Sequence, residues 1–381
     1  MKVRQAVPRA DQGRDVRYAV MLLVSAALLE ASASAQSIGQ QVAAETDVGA
    51  AVQAVGADSF ANIKVSFAHG VVGYPDLTYE TLTGYRPLKL DLFLPPSTFA
   101  GPRPLVIYVH GGGWVAGGPR RSAAYQDWPK VLAALAARGY VVATVSYRFA
   151  REAPFPAAIQ DVKSAIRWLR ANATTYRIDP KRAAIWGQSA GGHLAALAGV
   201  SCGVAALEPP ARLVPATGNV ETVASTAAGA DQVSDCVQAV VGWFGMYDFA
   251  ALRPLSPGGS GPDSPDRLFL GCGSQPCTRE QQAFASPITY LDRTDPPMLL
   301  MHGSADSTVP VSQTEKFASA AQAAGIRVRT IIEPGINHSW IGPTPAATLN
   351  TSREALATSI DFIDAQIGDG RASAGSSSKV K

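Results

Sequence analysis

The sequence lacks a strong charge imbalance and offers few potential metal ligands. Its 381 residues include 33 Lys and Arg against 30 Asp and Glu, which leaves a formal net charge of only +3. Nucleic-acid-binding proteins concentrate positive charge on one surface, so this near balance argues against such a partner. The chain has five histidines and four cysteines, and their spacing does not match that of a zinc site. We therefore expect no nucleic-acid partner and no metal.

The sequence also lacks an apolar run long enough for a transmembrane helix. Near the N-terminus, five basic residues precede the apolar run 19–29, which ends in Ala33-Ser34-Ala35. This run of about 11 residues is roughly half of what a membrane span needs. A basic segment, a short apolar core and small residues are typical of an export signal. We predict a signal peptide over residues 1–35 and a secreted or periplasmic protein without a stable membrane anchor; an anchor is the weaker alternative.

Export would place the four cysteines in an oxidising compartment, where an even number usually forms disulfides. Cys272 and Cys277 bracket a short loop, and Cys202 and Cys236 bracket a longer one. We favour these two local pairs among the three possible connectivities. Free buried thiols are the alternative.

The hydrophobic pattern predicts an α/β fold with a doubly wound, mostly parallel sheet and helices on both faces. Residues 63–94 alternate apolar and polar, which is typical of antiparallel edge strands. Residues 105–109 and 140–145 are continuous apolar runs, as expected for strands covered on both faces. Strands and helices then alternate along one domain, 63–367. We predict an N-terminal arm over 36–62, small lid-like insertions at about 203–235 and 252–285, and a disordered tail over 368–381.

A nucleophile motif, Gly187-Gln188-Ser189-Ala190-Gly191, follows an apolar run and precedes a helical segment. In the G-x-S-x-G pattern the glycines allow a sharp strand-to-helix turn that exposes the serine oxygen. The motif alone is common, but this context is the one it requires. Ser189 is therefore the predicted nucleophile.

A glycine-rich loop, residues 110–114, directly follows the predicted strand 105–109. Acyl transfer develops negative charge on a carbonyl oxygen, and residues without side chains let backbone N–H donors approach it. We assign the oxyanion hole to Gly112, Gly113 and Ala190. His110 is expected to hold the loop by hydrogen bonds, and Trp114 is expected to contact the substrate.

Two further residues complete a catalytic triad. Asp306 lies in a turn after the apolar strand 298–301, and His338 follows the last predicted strand. We predict that His338 is the general base and that Asp306 orients it. Asp248, which also follows an apolar strand, is the alternative acid. His193 and His302 are interpreted as structural, and His69 as a solvated or packing residue.

From about residue 84 to residue 367, the chain resembles the α/β-hydrolase superfamily, more narrowly the esterases related to hormone-sensitive lipase and the bifunctional acetylxylan/feruloyl esterases. The segments that carry the resemblance are His110–Trp114, Ser146–Arg148, Phe155–Ala157, Asp161–Lys163, Gly187–Gly192, Ser286–Ile288, His302–Pro310 and His338. In place of the phenylalanine that often follows the glycines, this chain has Trp114. The cysteine-bracketed insertions also depart from the pattern and leave the shape of the acyl pocket open.

The resemblance implies a serine esterase that works through an acyl-enzyme and needs no cofactor. Acetylated or feruloylated polysaccharides are the substrates it suggests. A lipase or a polyester hydrolase of the same fold is one alternative. A serine peptidase of the prolyl-oligopeptidase type and a non-catalytic binding domain are alternatives of other classes. The natural ester, small or polymeric, and the oligomeric state are left open by the sequence.

Overall fold

The computed structural model describes residues 63–210, 233–252 and 261–369. The predicted signal peptide and N-terminal arm lie outside these ranges, as does the predicted tail from residue 370. Within the ranges, no helix combines the length and the apolar character needed to cross a membrane.

A single sheet forms the centre of the fold, with nine strands in the described ranges. They are β1 (Val65–Ser66), β2 (Val72–Glu80), β3 (Leu88–Leu94), β4 (Arg103–Val109), β5 (Val141–Val145), β6 (Ile178–Gln188), β7 (Ala239–Trp243), β8 (Met298–Gly303) and β9 (Val328–Glu333). Their order in the sheet is β1-β2-β3-β5-β4-β6-β7-β8-β9. Strand β1 pairs antiparallel with β2, β2 with β3, and β3 with β5. The six strands β4 to β9 all run parallel to one another. The predicted fold class is confirmed.

Helices cover both faces of this sheet. They are α1 (Trp128–Ala136), α2 (Ala157–Ala171), α3 (Ala173–Tyr176), α4 (Ala190–Val200), α5 (Pro265–Leu270), α6 (Arg279–Ala285), α7 (Ser312–Ala323) and α8 (Pro345–Ile367). α1 begins at residue 128, because the Asp127 carboxylate accepts a hydrogen bond from Lys130 N–H at 3.1 Å and Pro129 suits the first turn. The second predicted insertion contains α5 and α6.

The core has two layers because successive residues of each central strand face opposite sides. Ile107 and Ile185 pack on one face against α2 and α4, whereas Tyr108 and Trp186 pack on the other face against α1. All four side chains are fully buried. Burial on both faces accounts for the continuous apolar runs in the sequence.

Both ends of the first insertion are tied to α2 by a group of charged residues, which we call the insertion clamp: Lys163, Arg167, Glu208 and Asp235. The fully buried Lys163 donates from Nζ to Glu208 Oε1 at 2.8 Å and to Asp235 Oδ1 at 3.2 Å. Arg167 also pairs with both carboxylates. The clamp therefore holds the two ends of the insertion close together.

Two disulfides lie beside the insertions. Cys202 is bonded to Cys236, with their Cα atoms 5.0 Å apart, and Cys272 is bonded to Cys277, with their Cα atoms 5.1 Å apart. These are the two local pairs that the sequence favours. The first bridges the base of the first insertion, and the second closes the turn between α5 and α6.

Candidate active site

Ser189 occupies a sharp turn between β6 and α4. Its backbone φ is 52°, a left-handed value that raises the side chain above the sheet, and its N–H donates to Trp243 O at 2.8 Å. Gly191 is required beneath the turn, since a Cβ there would lie 2.1 Å from Val109 O. The sequence motif thus corresponds to a real steric need for close backbone contact.

The three residues predicted as a triad lie together at the carboxyl ends of parallel strands. His338 Nε2 is 3.1 Å from Ser189 Oγ, and His338 Nδ1 is 2.7 Å from Asp306 Oδ2. A carboxylate only accepts hydrogen bonds, so Nδ1 carries the proton and Nε2 can accept the serine proton. The Asp306 side chain is fully buried, whereas that of His338 is 18% exposed. This geometry suits general-base activation of Ser189.

Four donors surround the Asp306 carboxylate. Oδ1 accepts from the N–H groups of Thr308 at 2.9 Å and Val309 at 2.8 Å, and Oδ2 faces both His338 and His302. Burial by itself would raise the pKa of the Asp306 carboxyl, but hydrogen bonds from His302 and His338 and the charge of His338 outweigh it and hold that pKa well below its usual value. The orienting acid is therefore ionised.

Asn337 joins the loops that carry the acid and the base, and sequence reasoning missed it. Its side-chain oxygen accepts from Ser307 N–H at 2.9 Å and from His338 N–H at 2.7 Å. The Phe244 ring packs on His338 with centroids 4.7 Å apart. The only signal in the sequence is that an amide side chain precedes the histidine, which is too common to single out Asn337.

The glycine-rich loop places two backbone N–H groups beside Ser189. Gly112 has φ +119°, and a Cβ there would lie 2.0 Å from Ala116 O, so only glycine fits. Across the described ranges, the N–H groups of Gly112 and Gly113 donate to no protein acceptor. Ala190 begins α4, where helix N–H groups are unpaired. These three donors are free to bind an oxyanion, and their assignment as the oxyanion hole stays a prediction.

His110 braces this loop from below. Its ring stacks on Tyr147 with centroids 4.6 Å apart, and Nδ1–H donates to Gly111 O at 2.7 Å. Burial lowers the pKa of His110 to about 4, so the ring is neutral near pH 7. The side chain supports the loop and does not exchange protons with a substrate.

Trp114 is placed differently from the prediction. Its ring is fully buried and stacks on Phe269 of α5, with centroids 4.4 Å apart, and its Nε1–H donates to His193 Nδ1 at 3.2 Å. His193 in turn donates from Nε2 to Ala285 O at 2.8 Å. Trp114 does not line the cavity at Ser189, so the predicted substrate contact is wrong. Phe269, which belongs to the second predicted insertion, packs on the Trp114 ring in the interior of the fold.

The alternative acid and the remaining histidine have other positions. The Asp248 carboxylate pairs with Lys316 and accepts from Ala250 N–H at 2.9 Å, so it caps a turn and does not face His338. His69 is exposed on a turn beside β2. Neither residue belongs to the site.

A cavity of about 290 Å³ opens above Ser189. It is lined by Gly111, Gly112, Gly113, Gln188, Ser189, Met246, Pro265, Thr308, Val309, His338 and Ser339. Its walls are mostly apolar or uncharged, and His338 is the only titratable side chain among these residues. Such a lining suits an uncharged acyl group next to the nucleophile.

Over much of its length the chain is similar to a known protein family and to known esterases. Residues 90–321 match the BD-FAE family model. The chain is 35% identical to esterase LipC of Mycobacterium tuberculosis over 242 residues, which are 63% of this chain and 53% of LipC. It is 29% identical to esterase LipQ of the same organism over 289 residues, which are 74% of this chain and 60% of LipQ. The chain thus spans a little over half the length of these relatives.

Two solved structures share the fold. One is described as a truncated form of a carbohydrate esterase from gut microbiota; it has a TM-score of 0.59 and 27% identity, covering 77% of this chain and 95% of that one. The other is a bifunctional GH43-CE protein from Bacteroides eggerthii, with a TM-score of 0.59 and 31% identity over 80% of this chain and 36% of that one.

Proposed function

The chain belongs to the BD-FAE family, and from that membership we propose that it is a serine esterase that hydrolyses carboxylic esters through an acyl-enzyme. The observation that carries the proposal is the Ser189–His338–Asp306 hydrogen-bonded chain beside three unpaired N–H donors. The family match and the esterase relatives support it.

The geometry supports a two-step mechanism. Ser189 Oγ attacks the ester carbonyl carbon while His338 Nε2 takes the hydroxyl proton, and Asp306 stabilises the resulting imidazolium. The N–H groups of Gly112, Gly113 and Ala190 bind the oxyanion. His338 then gives the proton to the departing alkoxide. Water, deprotonated by His338, attacks the acyl-enzyme, and His338 returns that proton to Ser189 Oγ as the bond to the acyl carbon breaks and the acid is released.

We propose esters of polysaccharides, acetylated or feruloylated, as the substrate class. The solved structure described as a carbohydrate esterase from gut microbiota supports this choice. The cavity favours a short or compact acyl group, because Met246 and Pro265 form apolar walls close to Ser189 and its volume is only about 290 Å³. Cell-wall polysaccharides lie outside the cell membrane, so this substrate class is compatible with the proposed signal peptide and secretion.

The first test is hydrolysis of p-nitrophenyl acetate, butyrate and palmitate, methyl ferulate, acetylated xylan and a peptide anilide. Ser189→Ala should lower kcat at least about 10⁴-fold with unchanged folding, because no other group can form the acyl-enzyme. Ser66→Ala is the matched control, since Ser66 is exposed on β1, five strands from β6.

Each outcome has a clear meaning. Cleavage of esters alone, by wild type and Ser66→Ala only, supports the esterase. Cleavage of the anilide alone would favour a peptidase, and no cleavage at all would favour a binding domain. The intact mass of the exported protein, compared with cleavage after Ala35, tests the proposed secretion.

A further inference from the structure

A second histidine contacts the orienting acid from inside the fold. His302 lies on β8, is fully buried, and places Nε2 3.2 Å from Asp306 Oδ2. The same oxygen accepts from His338 Nδ1 at 2.7 Å. The two imidazoles therefore meet at one carboxylate oxygen, one from the solvent-accessible side and one from the core.

The contacts of His302 fix which of its nitrogens carries the proton. Nε2 faces two acceptors, Val309 O at 2.9 Å and Asp306 Oδ2 at 3.2 Å. A lone pair on Nε2 would be repelled by both oxygens, so Nε2 is protonated. Nδ1 then accepts from the hydroxyl of Thr314, whose Oγ1 is 2.7 Å away on α7. Thr314 is fully buried, so this arrangement is shielded from water.

We propose that His302 is a positioning residue for the catalytic triad. His302 holds the Asp306 carboxylate in place and, together with His338, stabilises the negative charge of that carboxylate. The proposal rests on the proposed function. Thr314 contributes to this positioning, because its hydroxyl fixes the tautomer of His302. A chain of polar contacts thus runs from Thr314 through His302, Asp306 and His338 to Ser189, and only the last three belong to the triad predicted from the sequence.

The groups that face Asp306 are few, so the effect of His302 can be isolated. In the described part of the chain, the titratable groups on the carboxylate are His302 from β8 and His338 from the loop after β9; the other donors are the N–H groups of Thr308 and Val309. Without the His302 donor, more of the carboxylate charge would act on His338. That would favour the imidazolium and move the acid limb of the kcat/KM profile to higher pH.

The test compares His302→Leu, which removes the donor, with His302→Gln, whose side-chain amide can still donate to Asp306. For p-nitrophenyl acetate, His302→Leu should lower kcat about tenfold with KM within about twofold, because a hydrogen bond to a charged group is lost. Its acid limb should move to higher pH. His302→Gln should keep kcat within about threefold of wild type, with the acid limb unmoved. Circular dichroism establishes that each variant is folded.

A folded His302→Leu with wild-type kcat and an unmoved acid limb would overturn the proposal. A folded His302→Gln whose kcat falls tenfold or more would also overturn it, because the shape of the imidazole, and not its N–H donor, would then be what matters. If His302→Leu does not fold, His302→Gln is tested alone, and a tenfold or greater loss of kcat in that folded variant would overturn the proposal.

The rate of Ser189 labelling by a fluorophosphonate separates this proposal from the proposed function. Labelling needs an activated serine but no ester turnover. If wild type is labelled yet hydrolyses no ester, the proposed function fails, while the labelling rates of the two variants still test His302. A tenfold slower rate for His302→Leu alone supports the positioning role, and equal rates for all three proteins contradict it.

Discussion

Replacing Gly112 by alanine should disable the oxyanion hole while leaving the triad intact. The added Cβ would lie 2.0 Å from Ala116 O, and contacts below 3.0 Å force something to move. The loop must therefore shift by about 1 Å or more, and a misplacement of that size can lower a rate about 100-fold. Loss of one oxyanion donor lowers kcat by roughly 10²- to 10³-fold. We expect kcat about 100-fold lower and KM little changed.

Gly113→Ala is the matched control from the same loop. Its φ of +59° lies in the left-handed region, which alanine adopts at about 1 to 2 kcal/mol. The nearest neighbour of its Cβ would be Pro265 Cβ at an ordinary 3.4 Å. We expect kcat within about tenfold of wild type. Both variants are assayed with p-nitrophenyl acetate and checked for folding by circular dichroism. Equal losses in the two variants, or full activity in Gly112→Ala, would refute the assignment of this loop.

The other predictions concern stability. Replacing Cys202 and Cys236 by alanine should lower the free energy of unfolding by about 4 kcal/mol, and replacing Cys272 and Cys277 by about 2 kcal/mol, because the disulfides join residues 34 and 5 positions apart. Urea unfolding measures both values, and the reverse ranking would contradict the argument. Burial lowers the pKa of His110 and of His193 to about 4, against about 6.5 when unfolded. The unfolded chain therefore binds more protons between pH 6.5 and 4, so the free energy of unfolding should fall as the pH drops through that window. Urea midpoints at pH 7 and pH 5 test this, and equal midpoints would show that the two histidines do not stay neutral on folding.

The parts of the fold that the sequence predicted well depend on local pattern. The apolar runs at 105–109 and 140–145 became central strands because burial on both faces imposes that composition. Ser189 and Gly191 could be recognised because a tight turn has a steric requirement that shows in the residues themselves.

The parts that the sequence did not predict depend on side-chain contacts that form only in the folded chain, between distant segments or within one turn. Trp114 was expected at the substrate, but its partner Phe269 comes from an insertion 155 positions away in the chain. His302 was interpreted as structural because its link to Asp306 is visible only once β8 and the following turn are folded. Asn337 bridges two loops through its side chain, and no spacing rule reports such a bridge.

The insertion clamp and the Cys202–Cys236 bond make the first insertion a suitable place for added sequence. Glu208 and Asp235 are both paired with Lys163 and Arg167, so the ion pairs hold the two ends of the connection close together. Doubling a connecting loop adds only about 0.6 kcal/mol of closure entropy. An epitope tag or a small carbohydrate-binding peptide grafted between these residues would be attached to the fold at both of its ends. The protein could thus be given a new binding target without changes to the residues around Ser189.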